Sequence, residues 1–157
     1  MSIKLAIFDV DGVLTNGQLF YLPTGEGKAF HVHDGLGIKK LLKSGVEVAI
    51  ITKRSSEVVT RRSNELGIGH LYQGVENKVD CFNALIQKLS ITPESCAYLG
   101  DDEPDLEVMR LVAYPVAVAN AVNVVKEAAV WITEKEGGFG AAREFCEWVI
   151  VKNNGSI

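Results

Sequence analysis

Cysteine is scarce in this chain and does not pair. Cys81, Cys96 and Cys146 are odd in number and far apart, which argues against a disulfide framework or a Cys-x-x-Cys metal knuckle and suggests thiols in a reducing compartment. Clustered cations are missing too. Sixteen Lys and Arg against 20 Asp and Glu give a net charge of −4, so the footprint that nucleic-acid phosphates require is lacking. No apolar run reaches the roughly 18 residues of a membrane span, and no basic, apolar, small-residue signal opens the chain. Repeats, low-complexity tracts and linkers are also absent. These absences point to a cytoplasmic protein with a small-molecule partner, no nucleic acid and no membrane.

The 157 residues, 47% of them hydrophobic, suit one domain over 1–157 with a single core. Residues 5–15, Leu-Ala-Ile-Phe-Asp-Val-Asp-Gly-Val-Leu-Thr, are the stretch with the most chemical content. A short apolar run reads as a buried strand that ends at Asp9. Side chains alternate along extended chain, so Asp9 and Asp11 face one space while Gly12 permits a sharp turn. Two carboxylates that close either hold a hard cation such as magnesium or merely cap a turn.

Further along, 18–22 and 28–32 read as two strands of a hairpin around Pro23-Thr24-Gly25-Glu26-Gly27. Asp34 is placed to cap a helix over 36–43 that stops at Gly45. Strands are expected at 47–51, 70–73, 97–99, 114–118 and 130–132. Helices are expected at 56–66, 77–89, 104–111, 122–128 and from Gly140 to residue 152, with 153–157 as a loose tail. Strands alternating with helices imply parallel pairing through right-handed crossovers. The expected fold is a three-layer, Rossmann-like α/β sheet with a hairpin flap after the first strand and no separate cap domain.

Ligands in such sheets bind at the carboxyl ends of the strands. Asp9, Asp11, Thr52, Asp101, Asp102 and Asp105 all fall at or just past such ends, and Lys78 opens a helix near one. Phosphoryl transfer unites these residue types, because it needs positioning and neutralisation of charge. Asp9 can attack phosphorus to form an aspartyl phosphate. Asp11 can protonate the leaving alcohol and later take a proton from water. Mg2+ would be held by Asp9, the Asp11 carbonyl and Asp101. Thr52 and Lys78 would bind phosphoryl oxygens, with Asp102 and Asp105 behind the metal ligands.

This motif set resembles that of the haloacid dehalogenase-like phosphohydrolases, and the likeness runs through nearly the whole chain. Phe30-His31-Val32-His33-Asp34-Gly35-Leu36-Gly37-Ile38, Ala49-Ile50-Ile51-Thr52, Leu71-Tyr72-Gln73-Gly74, Ala97-Tyr98-Leu99-Gly100-Asp101-Asp102 and Gly137-Gly138-Phe139-Gly140-Ala141-Ala142-Arg143-Glu144 are similar to the capless branch that cleaves 3-deoxy-D-manno-octulosonate 8-phosphate. The resemblance implies a magnesium-dependent phosphomonoesterase of lipopolysaccharide precursor synthesis. It also implies a homotetramer whose hairpins and C-terminal segments close neighbouring active sites.

Three departures bear on substrate. Thr52-Lys53-Arg54 stands where the branch has Thr-Gly-Arg, His33-Asp34-Gly35 where it has Arg-Asp-Gly, and Gly137-Gly138-Phe139-Gly140 where it has Gly-Gly-Arg-Gly. A sugar-acid carboxylate is held by an Arg fork or a Lys charge, so Lys53, Arg54, His33 and Arg143 are the candidate substrate contacts. Nine-carbon sugar-acid 9-phosphates remain an alternative. Arg143 could equally pair with Glu147 one helical turn on, and His31 with His33 lacks a third ligand for a metal. Two other readings compete: a receiver-like signalling module, disfavoured because Lys78 precedes the second acidic exit, and a silent phosphosugar-binding subunit, disfavoured by the intact Asp9 and Asp11.

Overall fold

In the computed structural model, which describes residues 1–155, the four residues of β1 (Leu5–Phe8) are completely buried and pair on both sides. The flanking strands are β4 (Glu47–Ile51) and β6 (Cys96–Gly100); β5 (His70–Tyr72), β7 (Tyr114–Ala117) and β8 (Trp131–Ile132) extend the sheet. All six are parallel, in the order β5-β4-β1-β6-β7-β8. Strands covered on both faces carry continuous apolar runs, and Val48 to Ile51 and Ala97 to Leu99 are accordingly buried throughout.

Helices α1 (Val32–Lys43) and α6 (Ala141–Asn153) pack against each other to form one layer, where Phe8 of β1 meets Phe145 edge-on at 5.3 Å. The other layer is the chain of contacts through α3 (Lys78–Leu89), the single turn α4 (Leu106–Met109) and α5 (Asn123–Ala128). Helix α2 (Glu57–Leu66) ends at Gly67 in the left-handed conformation, φ +78°, as a helix stop requires.

Three local expectations are corrected. The hairpin exists but is smaller: β2 (Phe20–Leu22) pairs with β3 (Gly25–Gly27), not with 28–32. Its turn is only Pro23-Thr24, and the glycine-containing Gly25-Glu26-Gly27 segment that read as turn is itself the return strand. Residues 28–31 are irregular, and the helix begins at Val32, capped by His31, whose Nδ1 accepts the His33 backbone N–H at 3.0 Å. Asp34 is therefore inside α1, and its buried carboxylate instead accepts the Arg143 backbone N–H at 2.9 Å, tying α1 to the start of α6. Asn153 is not part of a tail: its side-chain amide both accepts from the Ile3 N–H (2.7 Å) and donates to the Ile3 carbonyl (2.8 Å). Of the expected tail, 156–157 lie outside the described residues.

Candidate active site

Asp9, Thr52 and Asp101 follow three adjacent strands, β1, β4 and β6, at their carboxyl edge. The chain leaves β1 toward β4 on one side and returns to β6 on the other, so this is the point where strand order reverses and a crevice opens. A cleft of about 340 Å³ lies there, lined by Asp9, Asp11, Thr52, Lys53, Lys78 and Asp101 among others. Gly12 is required by the geometry: its φ is +81°, and a Cβ there would sit 1.9 Å from Asp101 Oδ2.

Asp9, Asp101 and Asp105 bring carboxylate oxygens within 4.8 Å of one another. Their valences differ. Asp105 is satisfied by the protein: Oδ1 accepts from Tyr98 OH (2.5 Å) and Lys78 Nζ (2.9 Å), and Oδ2 from the Asp101 and Asp102 N–H groups (3.0 and 3.3 Å). Asp101 Oδ1, by contrast, is buried without a partner, and Asp9 Oδ1 has the Val10 N–H at 2.8 Å and Lys78 Nζ at 3.4 Å. Unspent oxygen valence thus converges from Asp9 and Asp101, while Asp105 orients Lys78 and the loop that carries Asp101. Asp102 caps the 3₁₀ turn at Glu103–Asp105 by accepting the Glu103 N–H at 2.8 Å.

Electrostatics follow from this crowding. Burial, then the Asp105 charge, pushes the Asp9 carboxyl up to about 6, against the pull of Lys78. Burial again, then Asp105 and Asp9, pushes Asp101 up to about 8. Burial alone would lower the Lys78 ammonium, but Asp9 and Asp105 outweigh it and raise its pKa. Burial, reinforced by Asp105, raises the Tyr98 phenol well above its usual value, which keeps it a hydrogen-bond donor. Two protonatable carboxyls with unspent oxygens beside a fixed cation suit a hard divalent ion bound through oxygen.

Asp11 does not join that cluster. Its Oδ1 meets Lys28 Nζ at 2.5 Å and its Oδ2 faces Arg54 Nε at 3.7 Å, and both cations also contact Glu26 of β3. The initially equivalent aspartates are therefore separated in space: one faces the acidic cluster, the other the flap. Lys53 and Arg54 are exposed at the cleft wall, and Thr52 is buried at its floor.

His33 and Arg143 do not line this cleft. They sit together where α1 meets α6, with Arg143 Nη1 donating to the His33 carbonyl at 3.3 Å and Nε to Glu147 Oε1 at 2.5 Å. The i,i+4 pairing is the one realised, because both residues lie on one face of α6. Three participants escaped the sequence reading. Lys28 falls in a segment whose pattern predicts a strand, Tyr98 is masked inside an apolar run, and Gly137 lies so close to the Asp-x-Asp turn that a Cβ would stand 1.8 Å from the Gly12 carbonyl oxygen. Only the two glycines in a row at 137–138 gave any hint, since paired glycines often mark close backbone approach.

Known proteins share this fold. Residues 71–144 match the family model described as haloacid dehalogenase-like hydrolase. The 3-deoxy-D-manno-octulosonate 8-phosphate phosphatase KdsC of Escherichia coli K12 is 47% identical over 151 residues, 96% of this chain and 80% of that one. The crystal structure of the corresponding phosphatase from Moraxella catarrhalis, in complex with magnesium, phosphate and KDO, superposes with a TM-score of 0.94 at 45% identity, covering 98% of this chain and 89% of that one. A probable YrbI family phosphatase from Pseudomonas syringae pv. phaseolica superposes equally well, TM-score 0.94, at 51% identity and with 99% and 89% coverage. The chain therefore belongs to the haloacid dehalogenase-like hydrolases, in the branch of the 3-deoxy-D-manno-octulosonate 8-phosphate phosphatases.

Proposed function

We propose that this chain is a magnesium-dependent phosphomonoesterase that hydrolyses 3-deoxy-D-manno-octulosonate 8-phosphate to the sugar acid and phosphate, in lipopolysaccharide precursor synthesis in the cytoplasm. The observation that carries the reading is the Asp9 carboxylate, 3.4 Å from Lys78 and within 4.8 Å of the Asp101 carboxylate at the sheet's switch point. The whole of 1–157 is read as one domain devoted to this site. Among the described residues no helix is long and apolar enough to cross a membrane.

Asp9 attacks phosphorus and carries the phosphoryl group as an acyl phosphate. Asp11 gives a proton to the departing sugar oxygen, then takes one from the water that opens the intermediate, restoring Asp9. Thr52 and Lys78 hold the non-reacting phosphoryl oxygens, and Asp105 fixes Lys78 for that task. Asp9, Asp101 and the Asp11 backbone carbonyl would hold the magnesium ion, and the unpartnered Asp101 Oδ1 is the vacancy in hydrogen bonding that suits it. When bound, magnesium supplies the positive charge that lets an anionic nucleophile approach an anionic phosphate. Lys53 and Arg54 are placed to meet the sugar acid.

Phosphate release from a panel of phosphosugars, with magnesium or EDTA, tests this. The octulosonate 8-phosphate should be preferred and EDTA should abolish turnover. Preference for a nine-carbon 9-phosphate would reassign the substrate, and no turnover of any member would favour a silent binding subunit.

Metal binding should show in stability as well. Asp9 and Asp101 titrate higher in the folded chain than the ordinary value of 3.8, so the folded state binds more protons between that value and about 8. Stability of the metal-free protein should therefore fall as pH rises through that window. Magnesium should lift the melting temperature more at about pH 8 than at about pH 5.5, where protons compete for the same oxygens. Asp101→Asn should flatten both trends; a melting temperature that rises across the window in the metal-free protein would contradict the assignment.

A homotetramer with shared active sites is part of the same proposal. Its support is the flap, where Phe20, Tyr21 and Leu22 are 50%, 78% and 55% exposed, an apolar strand exposed on both faces of the sort that neighbouring subunits cover. His33 and Arg143, outside their own cleft, would then face a neighbour's. Light scattering should give a mass of four chains, and a single-chain mass would remove the shared site.

A further inference from the structure

Lys28 has no role in the reading above, yet its side chain is only 1% exposed. A lysine buried this far must be paired, and its ammonium lies 2.5 Å from Asp11 Oδ1 and 3.5 Å from Glu26 Oε2. It follows β3 directly in the chain. The contact therefore runs from the flap's return arm to one particular oxygen of the group that moves protons. Arg54 faces the other oxygen from 3.7 Å and bonds Glu26 as well, so Asp11 is held from two sides. Among the described side chains, these two cations are the partners of the Asp11 carboxylate.

We propose that Lys28 is a positioning residue for proton transfer: it fixes the Asp11 carboxylate at the mouth of the cleft and locks the hairpin flap to that same group. Arg54 shares its partners but is 44% exposed at the side chain and borders the open cleft, where substrate can reach it. Lys28 is enclosed. The inference rests on the phosphomonoesterase reading and adds to it the device that sets the geometry of one of its steps.

The step concerned is cleavage of the P–O bond, in which the electron pair goes to the leaving oxygen and a proton follows from Asp11. A sugar alkoxide needs that proton badly, and a nitrophenolate hardly does. Misplacing Asp11 should thus penalise alkyl esters selectively, and kcat/KM isolates the effect because it reports steps only through departure of the alcohol. The test compares wild type, Lys28→Met and Lys28→Arg on 3-deoxy-D-manno-octulosonate 8-phosphate and on p-nitrophenyl phosphate. For Lys28→Met, kcat/KM should fall on the order of tenfold or more further on the sugar phosphate than on the aryl ester, within the range of general acid catalysis. Lys28→Arg should recover much of the difference, and the aryl activity of both variants reports that the site is intact.

Equal losses on the two substrates, with or without a lower melting temperature, would make Lys28 a strut of the flap and overturn the proposal. A change confined to KM for the sugar phosphate would instead make it a substrate contact, also overturning it. If wild type cleaves neither substrate, the phosphomonoesterase reading fails first, and that outcome is distinct from either of these.

Discussion

An Asp9→Asn variant is expected to stay folded and to release phosphate at least about a thousandfold more slowly than wild type, as loss of an attacking group does. The amide keeps the shape of the carboxylate but cannot form the acyl phosphate. Folding should survive because Lys78 keeps its shorter contact with Asp105 at 2.9 Å. The substitution also removes a carboxylate whose ionised form is opposed by burial and by Asp105. The metal-free variant should then melt no lower than wild type at about pH 8, where Asp9 is otherwise forced to ionise. Circular dichroism and thermal melting, run beside the phosphate assay, separate lost chemistry from lost structure. Residual turnover near the wild-type rate would remove Asp9 as the nucleophile.

Lys78→Met should damage both activity and stability. Its Nζ lies within 3.4 Å of Tyr98 OH, Asp9 Oδ1 and Asp105 Oδ1, and Asp105 is completely buried. Methionine replaces most of the stem but leaves Asp9 and Asp105 facing each other without the cation between them. Breaking a buried pair by removing one partner costs about 3–5 kcal/mol, and protonation of Asp9 would soften that at low pH. Turnover should fall by about a hundredfold or more, since the transferred phosphoryl group loses a fixed positive charge. Pairing the change with Asp105→Asn distinguishes the two effects: stability should return in large part and activity should not. Recovery of activity in the double variant would mean that Lys78 serves only to neutralise Asp105.

The parts of this arrangement that were legible in sequence are those written by local rules. Apolar runs that stop at Asp, Thr or Gly gave the exits of β1, β4 and β6, and Glu47–Ile51 was read with its observed bounds. The helices expected at 56–66 and 77–89 match α2 and α3 to within one residue. Asp34 shows where such rules mislead. It is a good cap by type, but His31 already serves that purpose, and Asp34 is used across 109 positions on Arg143. The hairpin was misjudged for a related reason: two glycines in three residues carry little strand propensity, and pairing with Phe20–Leu22 overrides it. Lys28 and Tyr98 could not be found from spacing, because their importance depends on Asp11 and Asp105 being brought beside them by the sheet and the flap.

The site's division of labour has the same origin. Asp9 and Asp11 are two residues apart, but both lie past the end of β1, and Lys28 and Arg54 hold the Asp11 carboxylate apart from the acidic cluster. What remains beside Asp101 is the Asp9 carboxylate, with Lys78 held against it by Asp105. Of the three departures, Lys53 borders the same cleft while His33 sits with Arg143 where α1 meets α6. Phe139 is exposed in the loop before α6, and Lys53 is exposed on the cleft wall.

The most direct test of the central claim is to trap the intermediate. The enzyme turning over 3-deoxy-D-manno-octulosonate 8-phosphate with magnesium is quenched rapidly and treated with borohydride, which reduces an acyl phosphate to an alcohol, and its peptides are weighed. Reduction should appear at Asp9, only when substrate is present, and not in the Asp9→Asn protein. Reduction at another carboxylate, or steady phosphate release with Asp9 never modified, would contradict the account.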